Sequence, residues 1–209
     1  MHEQNILPLK LRFKDRAIMD FMKIILDGSQ LLYTNNQDFS SLSTEDRSLL
    51  LYRTMKHSGS FLSIAVFQRV GLLTHPAFHT AVAVIANQNV IPATKLVGYL
   101  LDFDAVVEKI IVAILAFSTI NYTMYSNEPA ATLSDPKKVL RIQDTYTEIM
   151  WRYLLYKYDH KQAVRCFSNV IRCLFAINEA IVRSCDVQWF TEKIDDVIHQ
   201  TEQIIITTD

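Results

Sequence analysis

Glycine and proline are scarce in this chain, with four and five in 209 residues. Both residues interrupt regular structure and supply tight turns, so their scarcity favours long helices over a sheet of many hairpins. An excess of one charge is also lacking, since 21 basic residues stand against 22 acidic ones. Because nucleic-acid binding leaves a basic footprint, we expect no direct nucleic-acid contact through this domain.

Cysteine is equally sparse, and none of the three, Cys166, Cys173 and Cys185, forms a C-x-x-C pair. This number and spacing disfavour a zinc module and a disulfide scaffold. The longest apolar run, 110–117, is well short of the roughly 20 residues that a membrane span needs. The sequence therefore predicts no metal, no cofactor and no membrane segment.

Motifs for catalysis are missing as well. There is no G-x-S-x-G sequence, no phosphate-binding glycine loop and no evident pair of catalytic carboxylates. His75 and His79 have helical spacing, but Pro76 lies between them and the glutamate of a zinc-protease helix is absent. We expect a protein that is not an enzyme.

What the chain does have is hydrophobic periodicity, within a composition that is 50% hydrophobic. Apolar residues at helical spacing predict an all-α, single-domain protein over 1–209. Residues 82–85 and 90–91 leave room for a short β-hairpin in the middle. The predicted helices cover about 9–35, 44–68, 93–101, 105–125, 134–158, 160–185 and 187–206. Ser134, followed by Asp135 and Pro136, is the predicted N-cap of the helix over 134–158.

The stretch 39–51 is the most informative local pattern. Phe39 and Leu42 are three apart and share a helical face, so they can fill a corner between two helices. Ser43 stands three residues before Asp46, an arrangement similar to a capping box, and predicts the start of a helix. The sequence therefore predicts two long helices held at a fixed angle.

This corner resembles the signature of the nuclear receptor ligand-binding domain, in the spacing F-x-x-L-x-x-x-D-x-x-x-L-L. Two later blocks are similar to the same family: one begins at Leu133-Ser134-Asp135-Pro136 and runs to Tyr153, and the other spans 165–177. Together they cover about 10–182. The resemblance implies a three-layer antiparallel helical sandwich, with 187–206 as a divergent C-terminal helix.

The resemblance also implies a pocket for a lipophilic small molecule. Apolar side chains suit such a ligand because their burial is favourable by about 25 cal/mol per Å². The acidic and arginine positions of the steroid clamp fall on Ile25 and Val66, both apolar, which argues against a steroid-like ligand. The alternative is that these side chains fill a core without a ligand. The implied pocket residues are Ile18, Met22, Ile25, Met55, Gly59, Ser63 and Val66.

A second implied site is a groove for a coregulator protein with a Leu-rich helix. Thr34 replaces the family's lysine there, and the apolar pairs around the usual acidic residue of the activation helix are incomplete near Glu202. The groove residues would be Thr34, Phe39, Leu42, Arg47 and Leu51.

The third implied site is the dimerisation helix, for a homodimer or heterodimer partner. Its residues would be Phe167, Ile171, Leu174 and Asn178. Asn178 and His57 also fall where the family commonly has an arginine and a buried glutamate.

These expectations define the leading functional hypothesis. It is the ligand-binding and dimerisation domain of a nuclear receptor, regulating transcription in the nucleus, or shuttling between cytoplasm and nucleus. The alternatives are a degenerate, ligand-independent module of the same type that serves as a dimerisation or corepressor-binding platform, and an unrelated helical scaffold.

Overall fold

A computed structural model describes residues 9–101, 103–118, 132–184 and 188–207. The chain is mostly helical in these ranges and forms no β-strand in them, which confirms the expectation of an all-α protein. The helices are α1 (Leu9–Thr34), α2 (Gln37–Ser40), α3 (Thr44–Arg69), α4 (Pro76–Ala86), α5 (Ile91–Leu100), α6 (Ala105–Ala116), α7 (Pro136–Lys157), α8 (His160–Ser184) and α9 (Gln188–Thr207).

Side-chain caps set several of the helix starts. The Ser43 hydroxyl accepts the amide of Asp46 at 3.2 Å and begins α3, as predicted. At α7 the prediction of Ser134 as the cap is wrong by one residue. Asp135 caps this helix by accepting the amide of Lys138 at 2.9 Å, because the Ser134 side chain is bonded to Asp46 instead.

The predicted hairpin near the middle of the chain is wrong. Residues 82–85 lie within α4, and 88–90 form a short 3-10 turn that leads into α5. Pro76 and Pro92 each stand in the first turn of a helix, where the missing amide proton costs no hydrogen bond. Asn87, with φ of 75°, separates the two helices. Val82 and Val90 are buried against other helices, so their apolar character reflects helix packing.

Two other predicted boundaries change. The helix expected over 105–125 ends at Ala116, and 119–125 lies outside the described residues. The last helix was expected from Val187, which also lies outside them, and it is observed from Gln188. In the part of the chain that is described, no helix combines the length and apolar character that crossing a membrane requires.

α3 is the central helix of the fold. Its buried residues include the consecutive runs 53–55, 57–59 and 63–65, so they cover most of its circumference and leave only a narrow face, marked by Glu45, Tyr52 and Lys56, that is not buried. A helix buried in this way must be surrounded by others. α3 accordingly packs against α1, α5, α6, α8 and α9.

Asp104 connects the start of α6 to α7, and its replacement tests how these two helices are held together. Its carboxylate caps α6 by accepting the amides of Val106 and Val107 at 2.8 and 3.0 Å, and it also accepts from Tyr153 and Lys157. Burial opposes ionisation, but the bonds from Lys157 and the other donors outweigh it and lower the pKa of Asp104 to about 2.

We expect Asp104→Ala to lower the free energy of unfolding at neutral pH by about 1 kcal/mol, the usual cost of losing such a cap. Because the folded pKa of Asp104 is depressed, its contribution is present above the unfolded value near 4 and is lost as the pH falls towards 2. Denaturant titrations across this range should show a weaker acid dependence in the variant. An unchanged acid dependence would contradict the assignment.

Candidate functional site

The predicted corner is built around one aromatic side chain. Phe39 is 1% exposed and packs edge-on against Tyr33, with the ring centroids 5.1 Å apart. It also meets Phe117 at 6.1 Å, and Phe117 in turn stacks on Tyr146 of α7 at 5.9 Å. This row of four aromatic rings connects α1 and α2 to the end of α6 and to α7.

Asp46 ties the same corner to the start of α7. Its carboxylate accepts the amide and the hydroxyl of Ser134 at 2.7 and 2.6 Å, and the amide of Asp135 at 3.3 Å. Burial opposes the charge, but these bonds and the nearby Lys138 outweigh it and lower the pKa of Asp46. The sequence pattern indicates Asp46 only as a partner of Ser43 and gives no sign of this contact, which joins residues 88 positions apart.

The predicted coregulator groove lies inside the protein. Phe39, Leu42 and Leu51 are 1%, 6% and 0% exposed, so their side chains present almost no open surface. Arg47 is also buried, and the Thr34 hydroxyl donates to the carbonyl of Gln30 at 3.2 Å.

Helix α9 contributes to this closure. It packs along α1 and α3. Its apolar residues belong to the same core cluster as Phe39 and Leu51. These residues are Ile194, Val197, Ile198 and Ile205. The divergent C-terminal segment is thus a single long helix that is part of the core.

The predicted pocket residues lie where α1 meets α3. Met22, Met55 and Ser63 are buried, whereas Ile18, Ile25 and Val66 are half-buried. Gly59 faces side chains that occupy the space a larger residue would need. A Cβ atom built there would lie 2.9 Å from Leu26 Cδ2 and 3.8 Å from Ile194 Cδ1.

A polar cluster next to these residues is satisfied internally. The Tyr33 hydroxyl lies 2.9 Å from Thr54 Oγ1 and 2.8 Å from Ser58 Oγ. Burial raises the pKa of Tyr33 to about 12, so the phenol stays protonated. Because each hydroxyl already has a partner, this cluster has little need of a polar group from a ligand. No sequence pattern had indicated it.

His57 and Asn178, the two positions matched to the family's charge network, lie next to each other in the structure. His57 Nε2 of α3 lies 3.4 Å from Asn178 Oδ1 of α8. Burial lowers the pKa of His57 below its ordinary value, which favours the neutral ring. Asn178 therefore holds α8 against α3 and is not an open surface residue.

The outer face of α8 is apolar and exposed. Phe175 is 72% exposed, and Val164, Ile171 and Val182 are each a little under half exposed. Their spacing of seven residues, 164 to 171 and 175 to 182, places them along one side of the helix. Of the remaining predicted dimer residues, Phe167 and Leu174 are half-buried and pack on the core.

A groove of about 670 Å³ separates this face from α7. The apolar part of its lining includes Trp151, Phe167, Ile171 and Phe175. Asp144 and Glu148 contribute acidic groups from α7. Apolar side chains at this density on an exposed surface are typical of a protein interaction site.

Metal chemistry finds no support in the described ranges, where no three His, Cys, Asp or Glu side chains form a group that could hold a metal ion. The chain matches no family model. No curated protein matches it either.

Proposed function

We propose that this chain is a divergent domain of the nuclear receptor ligand-binding type that acts in transcription control as an association module, without needing a ligand. The observation that carries the proposal is the contrast between two surfaces. The implied coregulator groove is closed by the core, whereas the implied dimerisation helix presents an exposed apolar face. Exposure of several large apolar side chains has a cost in water unless a partner covers them.

The order and packing of the helices support the family assignment. α3 packs against α1 and α9 as well as against α5 and α8, and α6 contacts both α3 and α7. Such packing is consistent with α3 and α6 forming the middle layer of a three-layer sandwich. The corner around Phe39 and Asp46 lies between α1 and α3, as the resemblance implies.

The contact between His57 and Asn178 is an independent argument. These two positions were matched to the family's network from the sequence, and they are 121 residues apart. Their side chains nevertheless lie at hydrogen-bond distance. An accidental match of helical patterns gives no reason for this pair to meet.

A reporter experiment in cells tests the proposal. The chain is fused to an unrelated DNA-binding domain, and transcription from the matching promoter is measured. We expect the wild-type fusion to change transcription and Phe175→Glu to remove most of this change, because a charge at the exposed face opposes burial by a partner. Tyr156→Glu is the matched control, since Tyr156 is 89% exposed and does not line the groove.

Two outcomes would contradict the proposal. A fusion that leaves transcription unchanged at normal protein levels would argue against a role in transcription. A lipid retained by the purified protein in native mass spectrometry would argue against ligand independence. The buried Oγ of Ser63 has no hydrogen-bond partner in the described structure, so it is the polar group that such a ligand would be expected to contact.

A further inference from the structure

We propose that His57 and Asn178 form an acid-sensitive contact, in which the neutral ring of His57 holds α8 against α3 and protonation of this ring releases α8. This inference goes beyond the proposed function and does not depend on it. It follows from the position of His57 between two helices, from the chemistry of its partner and from the charges around it.

The contact lies inside the protein, where α8 packs against α3. His57 is 4% exposed, and its Nε2 atom lies 3.4 Å from Asn178 Oδ1. A neutral ring that carries its proton on Nε2 donates it to this oxygen. Such a pair contains no charge, so it is compatible with a site from which water is excluded.

The surroundings of His57 oppose a second proton on its ring. Burial has the largest effect and lowers the pKa of His57, and the ammonium group of the adjacent Lys56 lowers it further. The Asn178 oxygen and the backbone carbonyl of Arg53 act in the opposite direction but do not compensate. In the described part of the chain, no carboxylate of α1, α5, α6, α8 or α9 forms an ion pair with His57.

The acidic residue next to Asn178 on α8 is already paired. The Glu179 carboxylate accepts from Arg183 Nη2 at 2.6 Å. A protonated His57 would therefore be a buried cation beside a like charge on α3, with no counter-ion on α8. Burying an unpaired charge is costly, and separation of the two helices, which admits water to the ring, relieves this cost.

The sign of the pH dependence follows from these contacts. Because the pKa of His57 is lowered below 6.5 in the folded protein, its contribution to stability is present above pH 6.5 and is lost as the pH falls below this value. In an open state the ring is in water and titrates near 6.5, so a proton favours opening. Between pH 7.5 and 5.5, the equilibrium constant for opening should rise about tenfold.

Native-state hydrogen exchange of the full chain measures this opening constant. After correction for intrinsic exchange rates, the amides of α8 around Asn178 should show the tenfold rise in the wild type. His57→Gln keeps a donor for Asn178 but does not titrate, so it should remove most of the rise. His199→Gln is the matched control and should retain it, because His199 is exposed on α9.

Asn178→Asp should reverse the pH dependence. A carboxylate opposite the ring supplies the missing counter-ion and raises the pKa of His57 above its ordinary value. The contribution of the pair is then present at low pH and is lost as the pH rises through the raised pKa. In this variant, the opening constant should fall between pH 7.5 and 5.5.

Three results would overturn the inference. The first is a wild-type opening constant that does not change with pH, and the second is an unchanged pH dependence in His57→Gln. The third needs no variant and applies if the substitutions prevent folding: in an NMR titration of the wild type, a His57 ring that takes up its proton near pH 6.5 without faster exchange in α8 would contradict the proposal. None of these results bears on the reporter response, so the two proposals can fail separately.

Discussion

Replacing Phe39 by alanine lowers the free energy of unfolding by about 3 to 5 kcal/mol, the cost of removing a fully buried aromatic side chain. The ring contacts Tyr33 and Phe117 edge-on, so the change removes two aromatic pairs and leaves a cavity between α1, α3 and α6. Since a domain is typically stable by only about 5–15 kcal/mol, this loss is a large fraction of the total stability. Urea denaturation followed by circular dichroism measures the effect.

Tyr156→Ala provides the control for this prediction. The side chain is 89% exposed on α7, and its removal should change stability by no more than about 0.5 kcal/mol. A comparably small loss in Phe39→Ala would show that the corner does not hold the helices together. In that event the aromatic row would be a consequence of the fold and not one of its supports.

Asp46→Asn should lower the free energy of unfolding by about 3 kcal/mol. The three donors from Ser134 and Asp135 lose a charged acceptor in a buried position. The amide that replaces one carboxylate oxygen is itself a donor and faces these donors without a bond. We expect the start of α7 to lose its attachment to the corner. Hydrogen exchange should then show faster exchange at the amides of Ser134 and Asp135.

The pH dependence of this effect has a definite sign. The folded pKa of Asp46 is depressed, so its contribution is present above the unfolded value near 4 and is lost as the pH falls below it. The difference in the free energy of unfolding between Asp46→Asn and the wild type should therefore become smaller at acidic pH. Asp195→Asn, at an exposed position on α9, is the matched control and should change the free energy of unfolding by no more than about 0.5 kcal/mol.

Local signals in the sequence were sufficient for most helix boundaries. Ser43 predicts the start of α3 because its hydroxyl can cap only residues that follow it closely. The start of α8 is set in the same way. The carboxylate of Asp159 accepts the amide of Gln162 at 2.8 Å and caps this helix. Signals of this kind act over three or four residues and do not depend on the remainder of the fold.

The predictions are wrong where a contact with a residue far away in the sequence replaces the local interaction. Ser134 has the composition of a cap, but its hydroxyl is used by Asp46 and the cap moves to Asp135. Residues 82–85 have the β-branched content of a strand, yet they lie within α4, where Val82 is buried against other helices. In both cases a tertiary contact outweighs a weak local preference.

It follows from the amino-acid sequence alone that the protein is helical, that α3 begins at Thr44, and that a corner of Phe39 and Leu42 precedes this helix. These properties follow from periodicity and capping, which are encoded within a few turns of chain. Which apolar faces are covered depends instead on how the helices pack together. α9 joins the core beside Phe39 and Leu51, while Phe175 on α8 remains exposed. An apolar stripe specifies that a helix face is to be buried, and the packing of the other helices determines whether the protein itself or a partner buries it.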